Sequence, residues 1–178
     1  ADPARLERFS SRTRATPSAN LDQLLEDPET DALIISTPIA THFEIGKRAL
    51  EAGKHVLIEK PMAGSSAEAD ELIALADRMG LAIMCGHTFL FSPPVVAVKE
   101  LINSGELGEI YFISSTRVNL GLHQPDLSVI WDLAPHDFSI LLSWLDEVPN
   151  TVSAVGRDSV LPGTPDVAFA NLSYVSGL

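Results

Sequence analysis

The sequence predicts an α/β fold: part of a doubly wound parallel sheet, then part of an α+β domain with an open, largely antiparallel sheet. Two observations in the first half carry the parallel sheet. Short apolar runs at residues 32–35, 55–58 and 81–85 have β-branched content and the length of buried strands, and the segments between them have helical spacing. Each run also stops at a polar cluster: Ser36-Thr37-Pro38, Glu59-Lys60-Pro61 and Gly86-His87-Thr88. A third observation, alternating stretches beyond residue 110, carries the second sheet.

Taken in order, the first intervening segment runs from His42 to Ala52. It sets Phe43, Ala49 and Leu50 near one face and closes at Gly53, where a left-handed residue costs little. The second opens with Ser65-x-x-Glu68, the spacing of a capping box. It carries Leu72, Ile73, Ala76 and Met79 at helical intervals and closes at Gly80. Strand, helix, strand, helix, strand with right-handed crossovers puts parallel strands side by side. Ligands of such sheets lie beyond the carboxyl ends of the strands, so the three clusters are expected to line one crevice.

Ser92-Pro93-Pro94 interrupts the pattern, and the domains are expected to divide there, into residues 1–90 and 91–178. A helix follows from Pro93, with Val95, Val96, Val98, Leu101 and Ile102 apolar, and closes at Ser104-Gly105. Residues 110–118, 151–155 and 167–174 alternate as strands, and Pro-Gly-Thr-Pro at 162–165 marks a turn. Between the first and second of these strands lie Asp132-Leu-Ala-Pro-His-Asp137 and an apolar helix at 138–145. Trp131 and Trp144 are expected in the core. The chain opens at Ala1-Asp2-Pro3 and ends at Val175-Ser-Gly-Leu178, neither of which reads as a finished terminal element, so a piece of a longer protein is expected.

Composition narrows the function. No apolar run approaches the roughly 18–20 residues of a membrane span, and no signal peptide is visible. A formal net charge of −12 argues against a nucleic-acid or anionic-membrane surface. The one cysteine, Cys85, ends an apolar run and reads as core, which excludes a disulfide framework and points to a reducing cytoplasm. No H-E-x-x-H or cysteine-rich spacing supports a metal site.

Five motifs then stand in order: Thr37-Pro38-x-x-x-His42, Glu59-Lys60-Pro61, Gly86-His87-Thr88-Phe89, Gly105-Glu-Leu-Gly-Glu-Ile110 and Asp132-x-x-x-His136-Asp137. Together they resemble the Gfo/Idh/MocA family of NAD(P)-dependent oxidoreductases over nearly the whole chain. The resemblance implies an N-terminal Rossmann domain and a C-terminal α/β domain whose sheet forms the oligomer interface. It also implies NAD or NADP as cofactor, a sugar, inositol or nucleotide sugar as substrate, and a homodimer or homotetramer when intact. Residues 117–122 and 129–136 resemble members linked to bacterial surface-sugar synthesis. Two departures stand out. The family's Gly-rich phosphate loop has no counterpart, since the sequence holds no G-x-G-x-x-G. Many relatives also have Asn and Arg where Thr88 and Leu90 stand, so a polar sugar contact is missing.

Oxidising a secondary alcohol needs a hydride acceptor over the carbon and a base on the hydroxyl. His136 titrates in the useful range when unperturbed, and Asp132, four residues earlier, shares a helix face with it if the helix begins by Asp132. Pro135 then falls in a first turn. Lys60, at a strand end, is suited to hold the reacting oxygen. By resemblance, Lys60, Asp132 and His136 match the family's catalytic positions, with His136 favoured as acid/base; the three meet only if the substrate cleft lies between the domains. Ser36, Thr37, Pro38, Glu59, Lys60 and Pro61 are candidate cofactor contacts. His42 is either another or a helix-start packing residue. Asp2 either takes the adenosine ribose hydroxyls or opens a helix. Pro61 stiffens its turn, and a cis Lys60–Pro61 bond suits it. His87 reads as structural, at the crossing between domains. Other readings make Glu59-Lys60 a solvated pair and Asp132 a helix N-cap. The whole is then a non-catalytic ligand-binding or regulatory relative, or an inactive fragment of an enzyme.

Overall fold

The computed structural model describes residues 3–118 and 127–178. The chain divides into two compact units, Ala1–Gly86 and His87–Leu178.

In the first unit, α1 (Pro3–Ser10) and α2 (Leu21–Glu26) precede β1 (Ala32–Ile35). A 3-10 turn at Ile39–Thr41 leads into α3 (His42–Glu51), β2 (His55–Ile58), α4 (Ser66–Met79) and β3 (Ile83–Cys85). The strands pair in the order β1-β2-β3, all parallel, and the register sets Ile35 beside Ile58 and Ile58 beside Cys85. The three expected strands and both crossover helices are therefore present. The third strand starts at Ile83 because Leu81 is still tied to the end of α4, its N–H donating to the Ala76 carbonyl at 2.9 Å.

Local chemistry explains the helix limits. Ser65 caps α4 by accepting from the Glu68 N–H, and Glu68 returns to the Gly64 N–H at 2.9 Å, one residue before the Ser65 N–H that a capping box uses. Gly80 closes that helix at φ 66°, a left-handed conformation that glycine adopts without a Cβ penalty. Ala49, Leu50, Leu72, Leu75 and Ala76 of the two helices pack on Ile35, Val56 and Ile58 to form the core.

In the second unit, a 3-10 turn at Thr88–Phe91 precedes α5 (Pro93–Asn103), which has proline in its first turn, where the missing N–H has no partner to lose. Helix α6 (Val129–Leu145) follows, then β4 (Thr151–Arg157) and β5 (Val167–Ser173). The two strands form an antiparallel pair from Thr151↔Ser173 to Arg157↔Val167. Their connection turns through a bridge between Leu161 and Thr164, as the Pro-Gly-Thr-Pro stretch predicts. The Trp144 indole N–H donates to the Val95 carbonyl at 2.9 Å, and Lys99 reaches the Asp146 carboxylate at 2.6 Å, joining α5 to α6.

Three expectations change here. Residues 111–118 form no strand: alternation alone makes no ladder, and none of their backbone groups finds a pairing partner among the described residues. Phe112 is 79% and Val118 86% exposed. The helix expected at 138–145 starts at Val129, because Ser128 supplies the N-cap and accepts from the Trp131 N–H. Pro135 thus lies inside the helix, beyond its first turn, and Asp132 is a helical residue, not the cap. Trp131 is 44% exposed, whereas Trp144 is partly buried against α5.

Candidate active site residues in the two units

The parallel register decides what meets at the strand ends. With Ile35, Ile58 and Cys85 in one row, the next residues are Ser36, Glu59 and Gly86. The Glu59 N–H donates to the Ile35 carbonyl at 2.9 Å and the Gly86 N–H to the Ile58 carbonyl at 2.7 Å, so the ladder runs one step past each strand. Ser36-Thr37-Pro38, Glu59-Lys60-Pro61 and Gly86 therefore stand together at one sheet edge. His87 and Thr88 of the third cluster belong to the second unit.

Side chains fix this edge. A Cβ on Gly86 would lie 2.9 Å from a Glu59 carboxylate oxygen and 3.3 Å from the Glu59 Cα, so the glycine makes room for that side chain. The Thr41 hydroxyl donates to the Pro38 carbonyl at 2.7 Å. That commits its proton, so in the 2.6 Å contact between Thr37 and Thr41 hydroxyls Thr37 is the donor. His42 opens α3 and is buried, with Nε2 2.7 Å from the Thr37 carbonyl and Nδ1 2.9 Å from the Pro61 carbonyl. The Lys60–Pro61 bond is cis, and Lys60 is half-buried. Burial raises the Cys85 thiol, helped by the Glu59 charge against opposing backbone hydrogen bonds, so a reactive thiolate is disfavoured there. Asp2, the candidate ribose ligand, lies outside the described residues, and Pro3 begins helix α1.

In the second unit Asp132 and His136 sit one turn apart on α6, so the face predicted from their spacing is retained although the helix starts earlier. The Phe89 ring meets the His136 imidazole edge to face at 4.7 Å between centroids, and the Arg117 guanidinium lies 4.9 Å from the centroid of the same Phe89 ring. Arg117 also grips Asp137, the neighbour of His136, through Nε at 2.7 Å and Nη2 at 3.3 Å, and the Ser115 hydroxyl donates to the same carboxylate at 2.7 Å. Burial pushes Asp137 up, but the hydrogen bonds of Arg117 and Ser115, with the charges of Arg117 and His136, outweigh it and hold the carboxyl below its usual range. Burial lowers His87, whose Nδ1 has no hydrogen-bond partner among the described residues.

Sequence reading missed the group around His136. Phe89, Ser115 and Arg117 lie 19 or more residues from it in the chain, without periodicity to link them, and adjacency marks only Asp137. A cavity of about 1160 Å³ in this unit lies between residues 112–118, the start of α6 and β5; Asp132 lines it and His136 does not. Among the described residues no three His, Cys, Asp or Glu side chains gather to hold a metal, and no helix is long and apolar enough to cross a membrane.

The strand-end edge of the first unit offers the features that suit the nicotinamide and ribose half of a dinucleotide: parallel strand ends and exposed Thr37 and Pro38. The sequence holds no Gly-rich turn for the pyrophosphate.

Comparison with known proteins fits this division. A model described as an oxidoreductase family with an NAD-binding Rossmann fold matches residues 1–87, and the GFO/IDH/MocA C-terminal domain matches residues 95–178. The UDP-N-acetylglucosamine 3-dehydrogenase of Acidithiobacillus ferrooxidans is 37% identical over 93% of the chain and 50% of its own length. A 1-carboxy-3-chloro-3,4-dihydroxycyclohexa-1,5-diene dehydrogenase of Comamonas testosteroni is 32% identical over 99% of the chain and 48% of its own length. The solved structure of the Bacillus subtilis oxidoreductase YvaA superposes with a TM-score of 0.86 at 25% identity, over 97% of the chain and 52% of its own. The chain spans about half the length of these relatives. With motifs, fold and both family models in agreement, the models over residues 1–87 and 95–178, the chain belongs to the Gfo/Idh/MocA family of oxidoreductases.

Proposed function

We propose that the protein to which this chain belongs is an NAD(P)-dependent oxidoreductase. It transfers a hydride between nicotinamide and a secondary alcohol or ketone of a sugar, inositol or nucleotide sugar. The observation that carries this reading is the row of strand ends, where one parallel register brings Ser36-Thr37-Pro38 and Glu59-Lys60-Pro61 to the same edge. NAD(P), when bound, supplies the hydride acceptor or donor. Thr37, Pro38, Glu59 and Pro61 hold its nicotinamide and ribose half, with Ser36 beside them, in residues 1–90 acting as the dinucleotide-binding domain.

Lys60 holds the reacting oxygen and offsets the charge that develops on it as the hydroxyl proton leaves. His136 takes or returns that proton, and Asp132, one turn earlier, orients the imidazole and favours its charged form. Phe89 restricts the ring from the side. Residues 91–178 supply the substrate groups and, through a sheet whose Val152, Val155 and Phe169 are exposed, the contact of a homodimer or homotetramer. A dehydrogenase relative acting on UDP-N-acetylglucosamine and the intact Lys60, Asp132 and His136 favour a catalyst over a ligand-binding relative.

The test is a turnover screen of the full-length protein with NAD and NADP against nucleotide sugars, free sugars and inositols, followed at the absorbance of reduced nicotinamide. Turnover with at least one class, lost in Lys60→Ala, is the expected result. Cofactor binding with no turnover in any class favours the ligand-binding relative.

A further inference from the structure

The side chains of Phe89, Arg117, His136 and Asp137 close a ring within the second unit. His136 and Asp137 are neighbours on α6. The Asp137 carboxylate accepts from Arg117 Nε at 2.7 Å and Nη2 at 3.3 Å, and from the Ser115 hydroxyl at 2.7 Å. The Arg117 guanidinium carbon lies 4.9 Å from the Phe89 ring centroid, inside the roughly 6 Å reach of a cation–π contact. The Phe89 ring then meets the His136 imidazole at 4.7 Å, with the two planes at 72°. That separation is near the short end of the roughly 4.5–7 Å range of edge-to-face pairs, so the imidazole has little room to tilt toward Phe89. Core packing does not hold the Phe89 ring by itself: it sits in the 3-10 turn Thr88–Phe91 and is 38% exposed. Residues 111–118 join no strand among the described residues and are mostly exposed, yet Arg117 is half-buried against this group.

We propose that Arg117 is a positioning residue that holds the His136 imidazole in place through Phe89, with Asp137 as its anchor. A guanidinium is planar, and two N–H groups on one carboxylate fix that plane before it meets the ring; an ammonium on a flexible stem would fix only a point. The anchor is rigid in turn, because the Ser115 hydroxyl occupies the same carboxylate and α6 carries its backbone. Asp137 stays below the usual carboxylate range, so the grip persists across the neutral region where an imidazole exchanges its proton. Arg117 thus braces Phe89 from a segment that has no ladder bonds of its own, and Phe89 braces His136. That the held imidazole transfers a proton rests on the function proposed above; the clamp itself does not.

The test has two readouts on the full-length protein. In steady-state kinetics on its best substrate, Arg117→Gln should lower kcat roughly tenfold, short of the roughly hundredfold that an ångström of misplacement costs, with KM and cofactor affinity nearly unchanged. Phe89→Leu should lose a similar factor, and the double variant no more than Phe89→Leu alone, because the two residues act in series. Losses that multiply to about a hundredfold overturn the proposal. Asp137→Asn removes the anchor and should show the same fall in kcat at constant KM; it decides the matter where Arg117→Gln does not fold. Lys99→Gln, which breaks the 2.6 Å pair with Asp146 at the C-terminal end of α6, is the control for lost stability. An equal kcat loss there overturns the clamp. The second readout is the His136 Hε1 signal in proton–carbon NMR of protein labelled at histidine, assigned by its loss in His136→Gln. Phe89→Leu removes the ring current and moves the signal, and Arg117→Gln should move it in the same direction; a signal unmoved by Arg117→Gln overturns the clamp. A moved signal in a protein that turns over no sugar, inositol or nucleotide sugar leaves the clamp standing and refutes the function. Turnover with kcat and signal both unmoved in Arg117→Gln does the reverse.

Discussion

Arg117 reaches Asp137 with two nitrogens, at 2.7 and 3.3 Å, and so ties residues 115–117 to the helix that carries His136. Replacing Asp137 with Asn should cost about 1 kcal/mol at neutral pH, less than a fully buried charged hydrogen bond because solvent partly screens the pair. Arg117→Lys should recover little of it, since a lysine cannot match the two-point grip. Urea unfolding of both variants measures the difference.

The pH dependence follows from the same residue and from His87. Asp137 is held below its usual range, so its contribution is complete above the ordinary carboxylate region, about pH 4, and is lost as pH falls through the lowered folded value. Burial lowers His87, so on acidification the unfolded chain takes that proton first, and stability falls from about pH 6.5 downward. Both signs agree: unfolding midpoints should drop steadily on acidification. His87→Gln should flatten the upper part of the curve and Asp137→Asn the lower. A profile unchanged by either substitution would refute these assignments.

Packing gives a separate test at Gly46. An added Cβ there would sit 3.0 Å from Ile58 Cδ1 and 3.4 Å from a Leu72 methyl, both on fully buried side chains. Alanine in place of glycine gains up to about 1 kcal/mol of helix propensity, whereas overpacking a filled core costs about 1–3 kcal/mol. Gly46→Ala should therefore be destabilising on balance, and thermal unfolding would show it as a lowered midpoint.

Much of the first unit was legible because its signals are local. Apolar runs of strand length, a capping-box spacing and closing glycines each act within one turn or one strand, and parallel pairing then follows from the crossovers. Residues 110–118 show the limit: they alternate like a strand, but a strand exists only with a partner, and the pairing of β5 is with β4. Helix α6 shows another, since a proline at 135 reads as a helix start while Ser128 caps the helix almost two turns earlier. At the candidate site the sequence named His42 and left its role open between two readings. Its two carbonyl partners, 5 and 19 residues away, emerge only when the strands align.

The absence of a G-x-G-x-x-G motif from the sequence bears on cofactor affinity. Pyrophosphate is normally held by backbone N–H groups at such a turn and the helix N-terminus after it. The 178-residue chain alone should bind NAD(H) weakly, and calorimetric titration giving a micromolar dissociation constant would contradict this.

The central claim is that Lys60 and His136 act on one reacting hydroxyl, and steady-state kinetics of the full-length protein on its best substrate test it most directly. Lys60→Ala should lower kcat by two orders of magnitude or more, about 3 kcal/mol of transition-state stabilisation, with the cofactor dissociation constant nearly unchanged. His136→Ala should remove the limb of the pH profile near neutrality, and Asp132→Asn should shift it. Wild-type turnover in both the Lys60 and His136 variants would contradict the mechanism.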